Sequence, residues 1–136
     1  MLQNHSPLEI LIAEDMEDAV LILLSQLKKF DCKAKVVGTG LQAVDAALEK
    51  DYDIIFMDIR MPGMDGIQAT KHILHNCANR QKKPYITAMT SFGHYHDRFL
   101  EAGISEVMLK PVSLDQIGTV LAKVMAFKEA ETEEGL

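Results

Sequence analysis

Cysteine is scarce: only Cys32 and Cys77 occur in 136 residues, and they have no CxxC spacing. A disulfide framework or a zinc site needs more thiols in paired spacing, so both are read as reduced thiols with no functional part. Long apolar runs are missing too. The stretches at 10–13 and 20–24 are far too short to cross a bilayer, and no basic region followed by a long apolar segment opens the chain. The expectation is a cytoplasmic protein with no membrane attachment. Positive charge is in deficit, with 14 Lys and Arg against 20 Asp and Glu and a formal charge of −6. That balance opposes wrapping on a polyanion, so direct nucleic-acid binding is set aside.

The chain does have a core. Apolar residues make up 48% of it, enough for one globular domain. Strand-length apolar runs stand at 10–13, 34–37, 54–57 and 85–89, with a weaker one at 107–109, and are labelled β1 to β5. Between and after them lie helix-period stretches at 18–29, 41–50, 67–76, 94–102 and 114–128, labelled α1 to α5. In the last, Leu114, Ile117, Leu121 and Val124 form an apolar stripe. Strands alternating with helices imply an α/β fold with a parallel sheet covered on both faces, because parallel neighbours need crossover connections. The expected division is an N-terminal extension at 1–7, one domain at 8–128 and a mobile acidic tail at 129–136. No repeat, internal linker or second domain is visible, and nothing is left over for an output domain.

In open α/β sheets, ligands bind beyond the carboxyl ends of the strands, where the strand order reverses. Glu14-Asp15 follow β1, Asp58 follows β3, Thr90-Ser91 follow β4 and Lys110-Pro111 follow β5. If β1 and β3 are neighbours, Asp15 and Asp58 stand side by side and need a cation to coexist as charges. Two carboxylates and a backbone carbonyl suit Mg²⁺, which takes octahedral oxygen ligands, better than Zn²⁺. Asp58 can then act as a nucleophile toward phosphorus. Lys110 would neutralise phosphoryl charge, and the Thr90 hydroxyl would hydrogen-bond an equatorial oxygen.

The segments Ile12-Ala13-Glu14-Asp15, Phe56-Met57-Asp58-Ile59-Arg60-Met61-Pro62-Gly63-Met64-Asp65-Gly66, Ala88-Met89-Thr90-Ser91 and Leu109-Lys110-Pro111 together resemble the response-regulator receiver family. The resemblance covers residues 8–128. It implies a flavodoxin-like, doubly wound (βα)5 fold with strand order 2-1-3-4-5. It also implies Asp58 as phospho-acceptor, with Asp15 and Asp58 binding Mg²⁺ directly, Glu14 through water and the Arg60 carbonyl completing the protein ligands; Mn²⁺ is the substitute ion. Thr90 matches the family's switch hydroxyl, Lys110 its phosphate-pairing lysine, and Lys110-Pro111 a cis peptide. The implied donor is a sensor histidine kinase or a histidine phosphotransfer domain, and the implied reader is a protein target on the face of α4, β5 and α5. Such a domain catalyses its own phosphorylation and dephosphorylation without turning over an external substrate. Whether the chain acts alone or is a segment of a hybrid kinase or larger regulator stays open.

Two positions depart from the family pattern. Val107 stands where an aromatic rotor is common, and Phe92 where a polar group often lies near the hydrolytic water. With Val107 stiff at χ1, switching is expected to run from Thr90 through Ser91 into 92–99. Arg60 and Phe92 are expected to slow self-hydrolysis.

Rival readings are weaker. Gly38-Thr39-Gly40-Leu41-Gln42-Ala43 fits GxGxxA, yet it follows β2, whereas a dinucleotide fingerprint belongs to the first strand-to-helix turn. An aspartate-based phosphatase resembles DxD at its nucleophile, and Arg60 occupies the second position here. A receiver that only docks partners would not need Asp15, Asp58, Thr90 and Lys110 together. Asp65-Gly66 reads as a turn and helix start, His94 and His96 as surface residues, and the methionines as core filler.

Overall fold

Strand and helix residues sort by what they bury. In β1 (Ile10–Ala13) and β3 (Ile54–Asp58) every position is buried, as expected of parallel strands covered on both faces. The computed structural model describes residues 8–80, 82–91 and 96–134. In chain order the remaining elements are α1 (Glu17–Lys28), β2 (Lys35–Val37), α2 (Gly40–Glu49), α3 (Gly66–Asn76), β4 (Tyr85–Thr90), α4 (His96–Ala102), β5 (Glu106–Leu109) and α5 (Leu114–Glu134). All strand pairs are parallel, and the sheet order is β2-β1-β3-β4-β5, as the resemblance implied.

Successive strand side chains point to opposite faces, and the core divides accordingly. Leu11, Ala13, Ile55, Met57, Ile86 and Ala88 meet Ala43 and Ala47 of α2, Ile67 and Ile73 of α3, and Phe99 of α4. Ile10, Ile12, Ile54, Phe56, Met89 and Met108 meet Leu23 and Leu27 of α1 and Ile117, Val120, Leu121 and Val124 of α5. Helices α2 to α4 therefore cover one face, and α1 and α5 the other. The chain steps from β1 to β2 on one side and returns past β1 to β3 on the other, which places the reversal of strand order between β1 and β3.

Some expected boundaries move. Asp58 and Thr90 are the last residues of their strands rather than the first residues beyond them, because the ladder continues through Asp58 opposite Met89 and Thr90 opposite Leu109. Pairing outweighs the poor strand propensity of aspartate. Helix α5 runs past the expected 114–128 to Glu134, since alanine and glutamate are strong helix formers and no glycine or proline stands between 129 and 134. The extension at 1–7 lies outside the described residues, as do His94 and Phe92; α4 is described from His96.

The glycine-rich turn before α2 has a packing role. A Cβ on Gly40 would lie 2.4 Å from the Met64 carbonyl oxygen, so only glycine lets the β3–α3 turn pass the first turn of α2. Thr39 caps α2 by accepting the Gln42 N–H. Asp65 and Gln68 form a reciprocal capping box at the start of α3. Among the described residues no helix is long and apolar enough to cross a membrane.

Candidate functional site

Parallel strands end at one edge, so the residues closing β1, β3, β4 and β5 converge. Glu14 follows β1 with 2% exposure, and its N–H donates to the Val37 carbonyl at 3.0 Å. Asp15, the next residue, is exposed. Asp58 is 4% exposed. One oxygen from each of Glu14, Asp15 and Asp58 lies within 4.8 Å of the others. Glu14, the acid expected to act at a remove, is the most deeply buried of the three.

Lys110 is placed by β5. Its N–H donates to the Thr90 carbonyl at 2.8 Å, which extends the β4–β5 ladder by one step. Its Nζ stands 2.9 Å from Glu14 Oε1 and 3.2 Å from Asp58 Oδ1. The Arg60 N–H also donates to Asp58 Oδ1, at 3.3 Å. Thr90 is buried to 6% exposure and lines, with Asp15, Arg60, Asp65 and Arg98, a cavity of about 560 Å³ over the strand ends. Ser91 lies exposed just past β4. Val107 is half-buried, opposite Ala88 and against the cluster that contains Phe99. Pro111 follows Lys110 through a cis peptide bond and is exposed.

The charges are unbalanced. Burial, then the hydrogen bond with Asp58, push the Glu14 carboxyl up to about 7 against the pull of Lys110. Burial draws the Lys110 ammonium down, but the hydrogen bond to Glu14 and the charge of Asp58 outweigh it and hold the group above its ordinary value. Glu14 Oε2 is buried with no hydrogen-bond partner among the described residues. An orphaned carboxylate oxygen beside two further carboxylates is a hard, oxygen-only donor set with room for one more positive charge. It fits Mg²⁺ or Mn²⁺ in donor type.

Two features escaped the sequence reading. Asp65-Gly66 reads in the sequence as a turn and helix start, yet a Cβ on Gly66 would also lie 2.3 Å from the Asp58 carbonyl oxygen, and the Gly66 N–H donates to the Ile59 carbonyl at 2.9 Å. Glycine lets the turn fold back onto the strand end that carries Asp58. Met16 is not core filler: it is 59% exposed beside Asp15, with Leu21 at 60% and Ile22 at 58% along α1. Leu21 and Ile22 lie off the Leu23 and Leu27 stripe, which is the signal that could have found them.

A family model described as "Response regulator receiver domain" matches residues 10–122. Histidine protein kinase 1 of Candida albicans is 37% identical over 133 residues, covering 90% of this chain and 5% of that protein. Transcription factor SKN7 of Saccharomyces cerevisiae is 33% identical over 120 residues, covering 85% of this chain and 18% of that one. The chain thus spans only a small part of these curated relatives. Among solved structures, the receiver domain of a Pseudomonas aeruginosa sensor histidine kinase, with a magnesium ion coordinated in its active-site cleft, superimposes with a TM-score of 0.79 at 27% identity, covering 89% of this chain and 99% of that one. The receiver domain of a Saccharomyces cerevisiae response regulator, crystallised with its histidine phosphotransfer protein, gives 0.83 at 26% identity, covering 90% and 91%.

Proposed function

The chain belongs to the response regulator receiver domain family, and on that premise we propose that it takes a phosphoryl group from a phosphohistidine donor onto the carboxylate of Asp58. The observation that carries this reading is the Lys110 ammonium standing between Glu14 and Asp58 at a strand edge where a third carboxylate, Asp15, and the Thr90 hydroxyl also line up.

In the proposed transfer an Asp58 oxygen attacks phosphorus as the P–N bond to the donor imidazole breaks. The imidazole nitrogen leaves with that electron pair and takes a proton. Lys110 already contacts Asp58 Oδ1, so its charge is in place for the phosphoryl oxygens with little reorganisation. The Arg60 N–H donates to the same carboxylate oxygen and helps fix it. Thr90, buried at the end of β4, would donate its hydroxyl proton to a phosphoryl oxygen. Asp15, Asp58, Glu14 and the Arg60 carbonyl are the groups that would hold Mg²⁺ or Mn²⁺. When bound, the ion supplies the charge neutralisation that lets a carboxylate approach a phosphoryl group. The same site would catalyse loss of the phosphoryl group to water, with Arg60 and Phe92 limiting the rate.

The donor is proposed to be a histidine phosphotransfer domain or a sensor histidine kinase that docks on α1, where Met16, Leu21 and Ile22 present apolar surface beside Asp15. Readout is proposed on α4, β5 and α5, where Leu100 and Leu109 are each 52% exposed. A cytoplasmic location fits such a partner set. Incubation with Mg²⁺ and a small acyl phosphate should add one phosphoryl group, labile to base and hydroxylamine. Asp58→Asn and chelation should each abolish it; equal labelling of Asp58→Asn would refute the assignment.

A further inference from the structure

Gln26 lies in the last turns of α1, far along the chain from Asp58, Thr90 and Lys110. Its Nε2 donates to the carbonyl of Val112 at 2.8 Å, and only the NH₂ of an amide can donate, so the bond fixes which way the side chain faces. The other end of the amide gains nothing: Gln26 Oε1 is buried and has no hydrogen-bond partner among the described residues. A methionine or leucine would remove that unsatisfied oxygen and suit a helix whose neighbouring residues Leu23 and Leu27 are core. What sets the amide apart from an apolar side chain here is the bond its Nε2 makes to Val112, which offsets the cost of the orphaned oxygen.

That bond bears on Lys110. Val112 is two residues beyond it, in the turn that joins β5 to α5. On the strand side the turn is held by the Lys110 N–H on the Thr90 carbonyl. On the helix side α5 begins with a reciprocal pair, Ser113 N–H to Gln116 Oε1 at 2.9 Å and Gln116 N–H to Ser113 Oγ at 3.1 Å. Between these, the Val112 carbonyl is tied across to α1 by Gln26. A lysine side chain has many rotamers, and its ammonium stays between two buried carboxylates only if its main chain is fixed. Helix α1 shares a core cluster with α5 through Leu23 and Leu27, and the turn just past α1 also packs on α5, since a Cβ on Gly118 would lie 2.9 Å from the Phe30 ring.

We infer that Gln26 is a positioning residue for Lys110: it holds the β5–α5 turn so that the ammonium stands at Asp58, and it makes α1, with its exposed apolar residues, mechanically continuous with the phosphate-pairing lysine. The inference rests on the reading of Asp58 as acceptor. Gln26→Met keeps the length and loses the donor. At saturating Mg²⁺ it should slow labelling of Asp58 by a small acyl phosphate by about tenfold, the scale of a sub-ångström to ångström misplacement of a reacting group. Gln26→Lys, which keeps a donor, should recover most of the rate, and Gln26→Glu, which sets an acceptor against the Val112 carbonyl, should be slower than Gln26→Met. In a Lys110→Ala background Gln26→Met should change nothing further, because its effect passes through the lysine. An undiminished rate in Gln26→Met, or effects of the two substitutions that multiply, would overturn the inference. The Lys110 Nζ resonance of ¹⁵N-labelled protein, recorded without any donor, gives a readout separate from transfer. It should shift in Gln26→Met and return in Gln26→Lys, and an unmoved resonance in Gln26→Met overturns the role of Gln26 even if Asp58 is the acceptor. Labelling that persists in Asp58→Asn would instead remove the acceptor reading and leave the resonance result standing.

Discussion

In the proposed transfer single residues at the strand ends carry the chemistry, and their neighbours carry the geometry. Gly66 has no freedom to change, since even a methyl group would press on the backbone of Asp58. Gly66→Ala should cost about 1–3 kcal/mol of stability, the usual range for overpacking, and slow labelling of Asp58, both measurable by urea unfolding and acyl-phosphate assay. At the opposite edge of the sheet Asp53 is 3% exposed; it accepts the Glu9 N–H at 2.7 Å and pairs with Lys82 and Lys128. Burial pushes its carboxyl up, but the Glu9 amide and the two ammonium groups prevail and hold it below the ordinary 3.8. A carboxyl with a lowered folded pKa stabilises the fold fully above its unfolded value, and the contribution is lost as pH falls through the folded value. Asp53→Asn should therefore lower stability at pH 7 by about 1–3 kcal/mol and by progressively less as pH falls from about 4 toward 2. Unfolding free energies measured across that window check it, and a constant difference would show that the charge of Asp53 does not matter.

At the scale of elements, α1 faces two ways. Leu23 and Leu27 enter the core, whereas Met16, Leu21 and Ile22 remain exposed. Such a face beside the carboxylate cluster suits a docking helix with apolar anchors. Leu21→Glu with Ile22→Ser should weaken transfer from a phosphohistidine protein by about tenfold or more, the effect of losing an interface anchor, while labelling by a small acyl phosphate stays unchanged. Parallel loss of both activities would place the docking surface elsewhere. Helix α5 reaches Glu134, and its far turns extend the helix past the residues that pack on the sheet.

For the molecule as a whole, the acidic cluster is an electrostatic load on the fold that a cation relieves. The Lys110 ammonium pairs with Glu14 and Asp58, Asp15 adds a third carboxylate close to both, and burial together with Asp58 pushes the Glu14 carboxyl up to about 7 against the pull of Lys110. Mg²⁺ bound to the folded state alone should raise stability by about 1.4 kcal/mol at roughly ten times its Kd, read as a rise in Tm. Asp15→Asn should remove most of that dependence, and because Asp15 is exposed it should change the Mg²⁺-free protein by only about 0.5 kcal/mol or less. A Tm that ignores Mg²⁺ in the unsubstituted protein would contradict the metal site.

Strand and helix order, the sheet class and the set of residues at the strand ends followed from the sequence, because they depend on local periodicity and on which residue ends each apolar run. Asp58, Thr90 and Lys110 were legible for that reason. What tertiary structure alone decided is how those ends sit together. Glu14 rather than Asp15 became the buried acid because β1 lies between β2 and β3 and the Val37 carbonyl holds the Glu14 amide. Gly40 and Gly66 owe their identity to backbone passing within 2.4 Å and 2.3 Å of where a side chain would begin, contacts that no local pattern encodes. Gln26 reaches Val112 across 86 positions of sequence. Short-range propensity and patterning can be read along a chain; the close approach of segments distant in sequence exists only once the sheet order has brought them together.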